Sequence, residues 1–125
     1  MTTSKILLVD DYENLRKLVA RFLANLGYTV LQAADGRSAI QIAIAEGPKF
    51  ILLDLLLPDM NGMEVARQLR QISQFKRTPI VGWSGNPIPR QQAILRKNLT
   101  DCVLKPLAPS ALRPLIERFL PNPKH

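Results

Sequence analysis

Asp10, Asp11, Asp54, Ser84 and Lys105 are the residues whose types and placing could do chemistry together. Asp54 closes the apolar run Phe50-Ile51-Leu52-Leu53, and Pro58 and Gly62 turn the chain after it. Asp10-Asp11 follows Ile6-Leu7-Leu8-Val9, Ser84-Gly85 follows Ile80-Val81-Gly82-Trp83, and Lys105-Pro106 follows Cys102-Val103-Leu104. If these runs are strands of one parallel sheet, their carboxyl ends converge on the rim where open α/β sheets bind ligands. Three carboxylates at one point repel each other, so positive charge must offset them. A hard divalent cation does this, and Mg2+ prefers oxygen ligands. Lys105 adds a second positive charge suited to a phosphate oxygen, and the Ser84 hydroxyl can donate to the same group. The set fits receipt of a phosphoryl group on a carboxylate, with Asp54 as the reactive group.

Each residue also has a plainer reading. Asp54 could simply start a turn. Asp10-Asp11 could cap the helix that follows. Lys105 could pair with Asp54 with no phosphate involved, and Ser84 could be an ordinary turn residue.

Bringing these residues to one rim takes strands alternating with crossover helices. A run that is apolar at every position, like Phe50-Ile51-Leu52-Leu53, suits a strand buried on both faces. Leu15, Leu18, Val19, Phe22, Leu23 and Leu26 recur at helical spacing, and Gly27 stops that helix. Residues 28–32 read as a second strand. Asp35-Gly36-Arg37-Ser38 opens a helix that Gly47-Pro48 ends. Residues 63–72 form a third helix, with Val65, Ala66, Leu69 and Ile72 on one face. Pro87 and Pro89 confine a fourth to residues 89–98. The last covers residues 109–120, with Pro109 in its first turn. Pro114 inside it costs about 3 kcal/mol, so a kink or a late start is expected. Five strand–helix repeats predict a five-stranded parallel sheet with helices on both faces, the doubly wound α/β class.

The totals bound the function. The chain of 125 residues makes one domain, residues 1–125, with an ordered core over residues 4–120 and a Pro-rich tail at 121–125. A lone Cys102 forms no internal disulfide, and no hydrophobic leader follows Met1, which together predict a reducing, cytoplasmic setting. No apolar run approaches the roughly 18 residues that span a membrane. The net charge of +7 is uneven: residues 1–75 balance, and residues 76–125 carry the whole excess. That excess suits an acidic partner or a solubilising surface. With no aromatic-rich basic stripe and no zinc-finger spacing, direct nucleic-acid binding is not expected.

From Lys5 to about Leu120 the chain resembles the receiver domain of two-component response regulators, the CheY-like family. The motifs are Leu8-Val9-Asp10-Asp11, Asp54 with Pro58 and Gly62, Ser84-Gly85 and Lys105-Pro106, with Asp10, Asp54, Ser84 and Lys105 spaced by 44, 30 and 21 residues. The resemblance implies a flavodoxin-like (βα)5 fold with strand order 2-1-3-4-5. It implies that Asp54 accepts a phosphoryl group from a sensor histidine kinase or phosphotransfer protein. Asp10 and Asp11 would hold Mg2+ with Asp54 and the backbone carbonyl of Leu56, Ser84 would hydrogen-bond the phosphoryl group, and Lys105 would pair with it. No turnover of a separate substrate is expected. The family's output face, formed by the fourth helix, fifth strand and last helix, would here carry Arg90, Arg96, Lys97, Arg113 and Arg118 and dock an acidic partner.

Three departures from the family stand out. Cys102 occupies the position where an aromatic usually switches, so another side chain must carry the signal or the change is small. Trp83 is the nearest large ring, and packing against a helix is its simpler role. Asn98-Leu99 replaces the usual Gly-Ala before that position. Leu56 and Asn86 stand where residues tune phosphoryl lifetime, and a leucine cannot orient an attacking water. The competing functions are a phosphorylation-independent binding module, a phosphohydrolase and a flavin carrier. Leu56 replaces the second carboxylate a hydrolase needs, and Asp10-Asp11 would repel a flavin phosphate. The Met1 start and Pro-rich end favour a free-standing domain.

Overall fold

A computed structural model describes residues 4–85, 95–105 and 108–121. Five strands, β1 (Lys5–Val9), β2 (Thr29–Ala33), β3 (Phe50–Asp54), β4 (Ile80–Ser84) and β5 (Asp101–Leu104), form one sheet in the order β2-β1-β3-β4-β5. Every pairing is parallel. The described residues hold helices α1 (Glu13–Asn25), α2 (Gly36–Glu46), α3 (Gly62–Arg70) and α4 (Pro109–Glu117). The helix expected over residues 89–98 lies outside the described residues apart from a 3-10 turn at Leu95–Asn98. Asn86, Arg90, Pro106 and the Arg96 side chain lie outside them too.

Side-chain alternation along the strands builds two cores. Leu7, Val9, Ile51 and Leu53 face Ala39 and Ala43 of α2 and Val65 and Leu69 of α3. Ile6, Leu8, Phe50 and Leu52 face Val19 and Leu23 of α1 and Leu112 and Ile116 of α4. All five residues of β3 are buried, so its continuous apolar run follows from having a helical layer on each side. Each such aliphatic side chain contributes about 2 kcal/mol by leaving water.

The strand order reverses between β1 and β3, and the loops leaving those two strands carry the acids. The loop after β3 is tied down from two sides. Asp59 accepts from the backbone N–H groups of Gly36 (2.7 Å) and Arg37 (2.9 Å) at the start of α2, and those bonds hold its carboxyl below the usual range. Asp35 caps the same helix through Ser38 N–H at 2.7 Å, and Gly47 ends it in the left-handed conformation at φ 61°. Asn61 caps α3 through Met63 N–H at 2.8 Å.

Gly62 then passes against β3 itself. A Cβ there would lie 2.3 Å from the Asp54 carbonyl oxygen and 2.6 Å from Leu55 Cα. Both neighbours are backbone and cannot swing aside. Gly62→Ala should therefore cost about 3 kcal/mol by overpacking, read as a lowered urea midpoint, and an unchanged midpoint would contradict this packing.

Some element ends differ from the sequence expectation. The third helix stops at Arg70, because Ile72 is extended (φ −90°, ψ 125°) and opens a 3-10 turn at Ser73–Phe75. α4 starts at Pro109 and includes Pro114, so the late-start alternative is not adopted. Leu112 and Ile116 are fully buried on either side of Pro114, and that burial offsets the lost hydrogen bond.

Candidate functional site

The four strand ends deliver the predicted residues to one rim. Asp10 is the first residue past β1, Asp54 the last of β3, Ser84 the last of β4 and Lys105 the first past β5. Asp54 stands opposite Trp83 in the β3–β4 register, and Ser84 opposite Leu104 in the next pair. Backbone bonds from Leu55 N–H to the Trp83 carbonyl (3.1 Å) and from Lys105 N–H to the Ser84 carbonyl (2.7 Å) extend these pairings past the strand ends.

The acids form a cluster. Carboxylate oxygens of Asp10, Asp11 and Asp54 lie within 4.8 Å of one another. Asp10 is fully buried and Asp54 is 4% exposed, while Asp11 faces solvent. The Asp10 side chain accepts from Tyr12 N–H at 2.8 Å, and its carbonyl accepts from the Arg16 guanidinium at 2.9 Å. Asp54 Oδ1 accepts from Leu56 N–H at 3.0 Å. These bonds fix both carboxylates in tight turns just beyond their strands. The simple capping alternative for Asp10-Asp11 finds no support, since Tyr12 is the N-cap of α1 and no side chain caps that helix.

Lys105 answers the charge. Its ammonium donates to Asp10 Oδ2 at 2.6 Å and to Asp54 Oδ2 at 3.3 Å. Burial lowers the Lys105 pKa, but the hydrogen bond and charge of Asp10, then those of Asp54, outweigh it and leave the lysine raised overall. Burial pushes the Asp54 carboxyl up, opposed by the Leu56 N–H and by Lys105 and reinforced by the Asp10 charge. Three carboxylates against one ammonium leave an excess of two negative charges. The donor set is all oxygen, and two of the acids are buried. This matches a divalent cation such as Mg2+ in both charge and ligand type.

Leu56 is 78% exposed, and its backbone is held beside the cluster by the bond to Asp54 and by a bridge to Asn61. Cys102 is half-buried and packs on the α2–α3 side of the sheet. Trp83 lies on the opposite face with Leu112 and Ile116 of α4 and is 1% exposed. It therefore packs against a helix, its simpler role. It also does what sequence reasoning missed: the Lys105 ammonium sits 5.1 Å from its ring centroid, within cation–π range. Arg16 and Asp59 were missed as well. Both act through backbone groups, which leave no residue-type signature.

The basic surface divides. Arg113 pairs with Glu117 at 3.3 Å and Arg118 with Asp101 at 3.7 Å, so those two cations of the expected docking face already have acid partners. Lys97 lines a cleft with Arg70, Lys76 and Arg77, at the amino-terminal end of the sheet. No helix among the described residues is long and apolar enough to cross a membrane.

Comparison with known proteins agrees with this geometry. Residues 6–117 match the family model described as the response regulator receiver domain. The chain is 34% identical over 115 residues to the autoinducer 1 sensor kinase/phosphatase LuxN of Vibrio campbellii, covering 92% of this chain but only 13% of that protein. The chemotaxis protein CheY4 of Vibrio cholerae superposes with a TM-score of 0.89 at 32% identity, covering 95% of this chain and 100% of that one. The receiver domain of the sensor histidine kinase PA1611 of Pseudomonas aeruginosa, solved with a magnesium ion in its active-site cleft, superposes with a TM-score of 0.84 at 28% identity, covering 94% and 98%.

Proposed function

The chain belongs to the response regulator receiver domain family, and on that premise we propose that Asp54 accepts a phosphoryl group from the phosphohistidine of a sensor histidine kinase or phosphotransfer protein. The observation that carries this reading is the cluster of Asp10, Asp11 and Asp54 oxygens within 4.8 Å, beside a lysine that touches two of them.

In the transfer an Asp54 oxygen attacks phosphorus. A P–O bond forms, the P–N bond breaks, and its electron pair leaves on the imidazole nitrogen. The Leu56 N–H on Oδ1 holds the attacking carboxylate in one orientation. Lys105 pairs with the phosphoryl oxygens after transfer, and the Ser84 hydroxyl donates to them. Asp10, Asp11 and Asp54, with the Leu56 carbonyl, would hold Mg2+, which when bound offsets charge on the transferring oxygens. The chain turns over no separate substrate. It works in the cytoplasm, and its phosphorylated state changes the binding of a downstream partner, an acidic protein, at the surface of β5, α4 and the segment between β4 and β5.

Phosphoramidate, a small P–N donor, tests this. One phosphoryl group per chain should appear with Mg2+ and none with EDTA, and an unlabelled protein in Mg2+ would count against the reading. The exposed Leu56 side chain offers no group to orient water, so phospho-Asp54 should be long-lived. Leu56→Asn should lose its label about tenfold faster, and equal decay rates would sink that idea. One observation favours the alternative of a phosphorylation-independent binding module: Cys102 stands where the family's aromatic switch should be. That alternative predicts no label from any donor.

A further inference from the structure

A second concentration of charge lies far from the acidic rim. Arg70, Lys76, Arg77 and Lys97, with Asn98 and Thr100, line an open cleft of about 520 Å3. Arg70 ends α3, Lys76 and Arg77 precede β4, and Lys97 precedes β5. The cleft therefore opens at the amino-terminal ends of the strands. Ile80, the first residue of β4, lies four residues before Ser84, about 13 Å at strand rise.

Arg70 builds the cleft. Its Nε donates to the Asn98 carbonyl at 3.0 Å, and its Nη1 donates to the Phe75 and Thr78 carbonyls, each at 2.6 Å. One planar guanidinium thus joins the segment carrying Lys76 and Arg77 to the segment carrying Lys97. Those three side chains are exposed and make no ion pair or hydrogen bond among the described residues. Among the described residues, no acid lines the cleft. Elsewhere on the surface, Lys5, Lys17, Arg67, Arg113 and Arg118 each face an acidic partner. The exposed Arg21, Arg37 and Lys49 have no ion pair among the described residues, so the grouping of three such cations around one opening is what sets the cleft apart.

We propose that this cleft binds a small ligand through a di- or triphosphate group. Three cations without a partner among the described residues, around one opening, match the charge of such a group, and lysine and arginine are the side chains that recognise phosphate. The volume lies in the range of small-molecule sites. Among the described residues no aromatic ring lines the cleft, so base stacking is not offered there and the phosphates are what is recognised. Three cations gathered at one open cleft, rather than a stripe along a face, favour a compact anion over a nucleic-acid backbone. The cleft is more than a Debye length from Asp54 at about 0.1 M salt, so its binding is independent of the phosphoryl site.

Calorimetric titration of tripolyphosphate into the protein, at about 0.1 M salt without divalent ions, tests the proposal. Saturable one-to-one binding is expected. It should weaken by about tenfold or more in Lys76→Gln/Arg77→Gln/Lys97→Gln, since charge-assisted hydrogen bonds are lost, and stay unchanged in Asp54→Asn. The triple variant replaces exposed side chains only, and an unchanged urea midpoint will show that it folds. Should its midpoint fall, Lys97→Gln alone must still weaken binding. No saturable binding to the wild type, equal affinity in the cleft variants, or binding of a single-stranded oligonucleotide but not of tripolyphosphate would overturn the proposal.

Discussion

Lys105→Met is expected to destabilise the metal-free protein by about 3 kcal/mol, with Mg2+ returning most of that loss. The ammonium is the positive charge contacting both buried carboxylates, at 2.6 Å from Asp10 and 3.3 Å from Asp54. Removing it leaves two like charges together out of water, which is costlier than never having buried a pair. Methionine keeps the aliphatic bulk over the Trp83 ring, so the loss reads charge rather than packing. A divalent cation binding the folded state at about a hundred times its dissociation constant adds about 2.7 kcal/mol. The variant should bind it more tightly, because no ammonium competes for Asp10 and Asp54. Urea midpoints in EDTA and in Mg2+ measure both effects. Equal midpoints for variant and wild type in EDTA would mean that Lys105 does not neutralise the cluster.

Asp54→Asn carries the second large effect, and its sign depends on the metal. Burial, the leading cause, leaves the Asp54 carboxyl raised even after the Leu56 N–H and Lys105 have pulled it down. A carboxyl raised in the fold binds its proton more tightly there than in the unfolded chain. Stability is therefore lost as pH rises from the unfolded value of 3.8 through the folded one. Asparagine removes that charge while Lys105 keeps its contact with Asp10. In EDTA the variant should be more stable than the wild type at neutral pH, and the gap should close as pH falls below the carboxylate range. In Mg2+ the order should reverse, because the variant has lost a metal ligand. Phosphoryl uptake should vanish. A variant less stable than wild type in EDTA would contradict the charge balance drawn for the cluster.

Much of this site could be read from the chain alone. The run from Phe50 to Leu53 announces a strand buried on both faces, and Asp54 ends it as expected. The helices of α1 and α2 followed from apolar spacing and from Gly27, Asp35 and Gly47. Convergence of Asp10, Asp54 and Lys105 on one rim followed from their places at the ends of strands in a parallel sheet, while the order of those strands came from the family resemblance. Periodicity says that strands exist, not which ones are neighbours.

What stayed hidden has a common cause. Arg70 bonds the carbonyls of Phe75, Thr78 and Asn98, and Asp59 bonds the amides of Gly36 and Arg37. A side chain that bonds backbone can choose any residue as partner, so no pattern of residue types betrays it. The charge excess after residue 75 was countable but not placeable. Lys97 was expected on a face with Arg113, and it also lines a cleft with Arg70, Lys76 and Arg77. Pro114 argued for a kink or a late start, and the helix begins at Pro109 with Pro114 inside it, held by the burial of Leu112 and Ile116. Trp83 was read as core, correctly, but its contact with Lys105 depends on the lysine reaching back across β4.

Phosphoryl acceptance at Asp54 is tested most directly by intact-mass spectrometry of the wild type and Asp54→Asn after incubation with acetyl phosphate and Mg2+. The predicted result is one phosphoryl group gained by the wild type and none by the variant. No gain in the wild type, or the same gain in both proteins, would contradict it.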